Sequence, residues 1–170
     1  MRLLAVLAGA AALAFAHVAA AAPVTLAPVS FSPEFQEKID EDLGAREGDF
    51  LRQQITERVS AALADQRATL SSGAPLVIEI LIIDADPNRP TIGQLAQRPG
   101  LDAMRSVSIG GAELRAVLRR NGAVVEEVHH RRYNHGLQDV AFAPSTWSEA
   151  QRSIRQFAIK VADAYAANAR

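Results

Sequence analysis

Leu76-Val77-Ile78-Glu79-Ile80-Leu81-Ile82-Ile83 (LVIEILII) is a nearly unbroken apolar run, preceded by Ser71-Ser72-Gly73 and followed by Asp84-Ala85-Asp86-Pro87. A run this short between turn formers fits a strand better than a helix. Residues of both parities are apolar, which predicts a strand covered on both faces and central in its sheet. Glu79 is the one polar member and needs a partner or an opening to water.

The flanking segments supply the other layer. On the N-terminal side, Phe50 to Ala68 has helical spacing, with Leu51, Ile55, Val59, Ala62 and Leu63 on one stripe. Before it, Ser32 to Asp49 carries the acids Glu34, Glu37, Asp40, Glu41, Asp42, Glu47 and Asp49 against Lys38 and Arg46, and reads as a solvated connector. Val24 to Phe31 (VTLAPVSF) reads as a first strand, with Pro28 marking an edge or a bulge. On the C-terminal side, Ser106 to Arg119 and Ala123 to Tyr133 form a hairpin about Asn121-Gly122. A three-residue loop, Arg120-Asn121-Gly122, places Leu118 opposite Val124, Leu114 opposite Val128 and Glu113 opposite His129. Gly110-Gly111 marks a bend or a close backbone approach. Thr146-x-x-Glu149 reads as a capping box for a last helix that carries Trp147, Ala150, Ile154, Phe157, Ala158, Val161, Ala164 and Tyr165 on one face. The expected architecture is α+β: a two-layer sandwich in β-α-β-β-β-α order, with a mixed sheet of about four strands under two helices.

The N-terminus speaks to the compartment. Met1-Arg2 precedes an uncharged stretch from Leu3 to Ala22 that ends in Ala19-Ala20-Ala21-Ala22, the pattern of a secretory signal peptide. Residues 1–21 are expected to be removed, leaving 22–170 as one domain without an integral membrane segment. The chain has no cysteine, so disulfides, thiolate metal sites, a cysteine nucleophile and lipidation of the bacterial lipoprotein type are all excluded. With 22% charged and 49% hydrophobic residues, the chain is neither disordered nor polytopic. A net charge of −1 provides no field that would draw it to nucleic acid. These features place it in the periplasm of a Gram-negative bacterium, with release from the cell as the alternative.

Three regions offer chemistry. Asp84 to Arg105 (DADPNRPTIGQLAQRPGLDAMR) is long for a connection between strands, and Thr91-x-x-Gln94 can start a helical turn within it. Asp84, Asp86, Asn88, Arg89 and Arg98 are its candidate binding residues, against the simpler reading of a cover for the core or a sheet edge. His129-His130-Arg131-Arg132-Tyr133-Asn134-His135 holds every histidine beyond residue 21. Adjacent strand residues point to opposite faces, so His129 and His130 do not chelate as a pair; His129, His130, Arg131 and His135 stand as candidate binding residues, with no metal or cofactor assigned. Ser106 and Ser108 lack the elbow and the oxyanion donors of a serine hydrolase, and no catalytic residue is assigned.

The stretches VTLAPVSF, REGDFLRQQITERVSAAL, LVIEILII and NGAVVEEV occur in an order that resembles small Gram-negative envelope domains. These are the penicillin-binding-protein activator and curli-secretion lipoproteins, and the N-terminal domain of the Tol system's propeller protein. The lipobox cysteine of the lipoproteins is absent. PNRPT, SIGGAEL and PSTWSEA have the look of signatures of an uncharacterised secreted family. The resemblance implies a non-enzymatic periplasmic accessory domain acting through an envelope protein partner, its oligomeric state left open. The alternative is small-ligand or metal binding by the 84–105 loop with the 129–135 histidines. The signal-peptide reading makes one direct prediction: mass spectra of the protein purified from its host begin at Ala22, and retention of Ala5 to Ala20 would overturn it.

Overall fold

The computed structural model describes residues 22–136 and 145–169; the expected signal peptide lies outside them. The elements are β1 (Val24–Leu26), β2 (Ser30–Phe31), α1 (Pro33–Lys38), a π-helical turn (Ile39–Leu43), α2 (Ala45–Asp65), β3 (Leu76–Asp86), α3 (Ile92–Gln97), β4 (Gly111–Arg120), β5 (Ala123–Tyr133) and α4 (Ser148–Asn168). β1 and β2 both run parallel to β3, while β3, β4 and β5 are antiparallel neighbours, so the sheet is mixed and the fold α+β. The stretch around Pro28 divides one edge strand into two short pieces, as a residue without an N–H does.

β3 is interior to the sheet, but only one of its faces is buried. Leu76, Ile78, Ile80 and Ile82 are at most 2% exposed, whereas Glu79 is exposed and Val77, Leu81 and Ile83 are half-buried. The apolar run therefore overstated the coverage: both helices lie on one side, and the other side faces water. A bulge between Ile82 and Asp84 shifts the phase, so Ala85 continues the buried row. Leu114, Ala116 and Leu118 of β4 extend that row, and the helix stripes Leu51, Ile55, Val59, Leu63 and Ala150, Ile154, Phe157, Val161, Tyr165 close over it. Burying side chains of this size contributes roughly 1.5–3 kcal/mol each, which is what a chain without disulfides has to rely on.

Three local expectations are corrected. The acidic connector contains α1 and the π-helical turn, which bury Phe35, Ile39 and Leu43. Ser32 caps α1 by accepting from the Phe35 N–H at 3.1 Å. The hairpin turn has two residues, not three: Asn121 (φ 51°) and Gly122 (φ 85°) both have positive φ, and Arg120 pairs with Ala123. A bulge two residues farther along then sets Leu114 opposite His130 and Glu113 opposite Arg131. Finally, Thr146 does not cap α4, which begins at Ser148 after Trp147.

The cap comes instead from Asn88, whose side-chain oxygen accepts the Glu149 N–H at 2.9 Å. Asn88 is fully buried. Its Nδ2 donates to Asn134 Oδ1 at 2.9 Å, its backbone N–H to the Thr146 carbonyl at 2.6 Å, and its carbonyl accepts from Ser108 at 3.0 Å. A Cβ on Gly110 would sit 2.5 Å from the Asn88 amide, and one on Gly111 would collide with the Arg132 carbonyl, which confirms the close approach read from the glycine pair. The stretches PNRPT, SIGGAEL and PSTWSEA thus meet at one buried side chain. Asn88→Ala leaves the Glu149 N–H and the Asn134 side chain without that partner, and is expected to cost about 2–3 kcal/mol, a fall of roughly 5–10 °C in melting temperature. A thermal melt followed by circular dichroism tests this, and an unchanged midpoint would remove Asn88 as the tie.

Candidate functional site

The chain between β3 and β4 is long but firmly moored. Thr91 and Gln94 form a reciprocal capping box at the start of α3: Thr91 Oγ1 accepts the Gln94 N–H and Gln94 Oε1 accepts the Thr91 N–H, each at 3.1 Å. The Thr91 hydroxyl donates to the Leu43 carbonyl at 2.9 Å. Asp42 in the π-helical turn holds Gln94 Nε2 at 2.7 Å and Arg98 at 2.5 Å. Arg89 donates to the Met104 carbonyl at 2.5 Å, and Asp102 accepts the Met104 and Arg105 N–H groups at 2.8 Å each. Those two N–H bonds hold the Asp102 carboxyl below its ordinary value. Ser108 Oγ donates to the Pro87 carbonyl at 2.5 Å.

This anchored loop presents apolar side chains to water. Ile92 is 64% exposed, Met104 76%, Val107 43% and Ile109 44%. Two clefts adjoin Ile92, Val107 and Ile109, with Pro90 on the wall of both. One, of about 290 Å³, includes Phe50, Ile92 and Trp147; the other, of about 220 Å³, includes Leu101, Val107 and Ile109. None of these four exposed side chains was singled out by the sequence, because an isolated apolar residue in a loop resembles a core contact.

The acids at the end of β3 are engaged within the fold. Lys38 Nζ lies 2.8 Å from Asp84 and 2.6 Å from Asp86, and the Tyr133 hydroxyl donates to Asp84 at 2.9 Å. Burial would lower the Lys38 pKa, but the hydrogen bonds and charges of Asp84 and Asp86 outweigh it and raise the net value. Burial, reinforced by the Asp84 charge and hydrogen bond, pushes the Tyr133 phenol far above its ordinary range.

The three histidines stand apart. His129 Nε2 lies 2.8 Å from Glu113 on the open face, beside Arg131, whose Nε donates to Glu113 at 3.1 Å. His130 faces α4, with Nδ1 3.1 Å from Lys160 Nζ and Nε2 without a hydrogen bond. His135, beyond the end of β5, lines a cleft of about 810 Å³ with Arg131, Arg132, Asn134 and Arg152 around Glu149. Glu149 is buried, 2.8 Å from Arg152 and 3.6 Å from Arg132. Of the sequence candidates, the structure groups Asp84 with Asp86 on Lys38, His129 with Arg131 on Glu113, and Arg131 with His135 along the cleft; Asn88 is a buried tie, and Arg89 and Arg98 brace the loop. Among the described residues no three His, Asp or Glu side chains are placed to share a metal ion.

No protein-family model matches the chain, and no curated protein matches it. Solved structures of similar fold include a PelC dodecamer from Paraburkholderia phytofirmans, 14% identical over 82% of this chain and 85% of that one, with a TM-score of 0.44. A hypothetical protein from Chlamydia trachomatis is 14% identical over 86% of this chain and 99% of that one (TM-score 0.49), and a minor lipoprotein from Acinetobacter baumannii is 11% identical over 82% and 92% (TM-score 0.37). Each likeness is one of topology, and no site residue is carried over from it.

His130 makes the stability of this region sensitive to acid. Burial first, then the charges of Lys160, Arg132 and His129, hold its imidazole below the ordinary value of 6.5. As pH falls through that value the unfolded chain takes up a proton that the folded chain resists, so this contribution is present above 6.5 and is lost on acidification. The urea midpoint is expected to fall between about pH 7 and pH 5, and His130→Gln to flatten that slope. An identical slope in the variant would assign the sensitivity to other groups.

Proposed function

We propose that residues 22–170 are exported to the periplasm of a Gram-negative bacterium and act there as a non-enzymatic accessory domain that docks an envelope protein through the 87–110 loop. The observation that carries this reading is the combination of a rigidly anchored loop with four exposed apolar side chains: Ile92, Met104, Val107 and Ile109. Apolar side chains exposed beside clefts, as Ile92, Val107 and Ile109 are, fit the surface pattern of a protein contact. Anchoring supports it further, since a loop already ordered gives up little entropy when it binds. No described helix is long and apolar enough to cross a membrane.

Photo-cross-linking in the native host tests the proposal. A cross-linking amino acid at Ile92, Met104 or Val107 is expected to give one common adduct, absent when the probe replaces Ile159, which is 59% exposed on α4. Met104→Glu should weaken capture about tenfold or more while leaving the melting temperature unchanged. The absence of an adduct at all three loop positions, or an equal adduct at Ile159, overturns the reading. The weight then moves to ligand binding in the arginine-lined cleft beside His135.

A further inference from the structure

Among the described residues, the outer side of the last strand of the sheet is unpaired, and acids and arginines flank His129 along it. β5 ends the strand order, and among the described residues nothing pairs with its outer side. Of its residues only His130 is buried. Its bulge lies near the hairpin turn, so the stretch from Glu126 to Tyr133 is in regular register with β4. A long, regular, unpaired edge is a template for another strand, and chains that avoid such pairing blunt the edge with a bulge or repelling charges.

Here the charges do not repel a copy of themselves. Glu126-Glu127 lie on one side of His129 and Arg131-Arg132 on the other, at matching distances. We propose that two copies of the chain join β5 to β5 in antiparallel register about a two-fold axis at His129, forming one sheet that runs through both. Glu127 then faces the partner's Arg131, and Glu126 faces the partner's Arg132. Opposed residues in this register share a face, so no side chain changes sides.

The register also extends pairs already present in each copy. Arg131 lies 3.1 Å from Glu113, and Arg115 lies 3.4 Å from Glu127. Across the dimer these become one row over four strands: Glu113, Arg131, the partner's Glu127 and the partner's Arg115, with the sign alternating at every step. A slip of two residues leaves Arg131 opposite Val125 or His129 and breaks the row. Parallel pairing in register sets acid against acid. The dimer is independent of the loop docking above, and either can fail alone.

A single introduced cysteine reads the register, because the chain has none of its own. At the proposed axis the two Cα atoms of residue 129 are about 4.5–5.5 Å apart, within disulfide reach. Two copies of residue 123 lie about 40 Å apart along the paired strands. The full chain carrying His129→Cys is expected to form a disulfide-linked dimer under mild oxidation, whereas Ala123→Cys does not. Sedimentation equilibrium of the unmodified chain should show a reversible dimer. Glu126→Arg, which sets arginine against the partner's Arg132 twice, should raise the dimer Kd about tenfold. A monomer in which residue 129 cross-links no better than residue 123 overturns the proposal and leaves the edge to a strand from another protein. A dimer indifferent to Glu126→Arg overturns the register and with it the proposal.

Discussion

One buried amide fixes how the ends of this fold meet. Asn88, in the segment that follows β3, is inaccessible to solvent and bonded to the segments that precede β4, follow β5 and open α4. Three of these four segments continue the β3–β4–β5 ladder just past its last pairs, Asp86 with Gly111 and Gly111 with Tyr133, and the start of α4 is joined to them through this amide. A polar group buried without partners costs about 1–3 kcal/mol, so the arrangement is stable only when all four segments arrive together. Gly110 is a condition of it, since any side chain there would occupy the space of the amide. The tie also serves as a helix cap, satisfying an N–H that Thr146, the nearest local candidate, does not reach.

The sheet divides its work between two faces. The covered face is apolar and shares one core with α2 and α4. On the open face, charged side chains pair across strands: Glu79 with Arg119, Glu113 with His129 and Arg131, and Arg115 with Glu127. Pairs this exposed contribute little stability each, on the order of 0–1 kcal/mol. Their importance is in matching strand to strand, because a two-residue slip between β4 and β5 would leave Glu113 without Arg131. Lys38 performs a similar task at the end of β3, holding together two carboxylates that would otherwise repel.

How far the sequence could be read follows from how local each signal is. The stripes of α2 and α4, the Thr91–Gln94 box and the strand at Leu76 all depend on neighbours within a turn or two, and the structure contains them. The acidic stretch misled because seven carboxylates conceal a four-residue spacing: Phe35, Ile39 and Leu43 recur on one side of a helical path. LVIEILII misled in the opposite sense, since apolar residues of both parities do not distinguish a fully covered strand from one whose outer face is only half-buried. The hairpin's two-residue turn is what Asn-Gly favours locally; the bulge beyond it, invisible in the residues themselves, sets Val128 opposite Ala116 and His130 opposite Leu114, so the covered side of β5 is mixed rather than cleanly apolar. For the candidate site, PNRPT, SIGGAEL and PSTWSEA were recognisable as unusual, but only the fold shows that they converge on Asn88.

The exposed apolar side chains of the loop persist because the backbone beneath them is fixed. A loose loop of this length would fold Ile92 inward over the cleft it lines, since burying apolar surface is favourable. Thr91 and Gln94 at one end, Arg89 and Asp102 at the other, and Asp42 below hold the backbone through hydrogen bonds that such a collapse would break. The ordering cost is therefore met when the domain folds rather than when a partner arrives. The β5 edge has a different physical character: no described residue pairs with its outer backbone groups, and its selectivity lies in the alternation of acid and arginine along the strand. A surface with rigid apolar contacts and a surface with an open backbone ladder suit different occupants, so a single chain can use both without one competing for the other's partner.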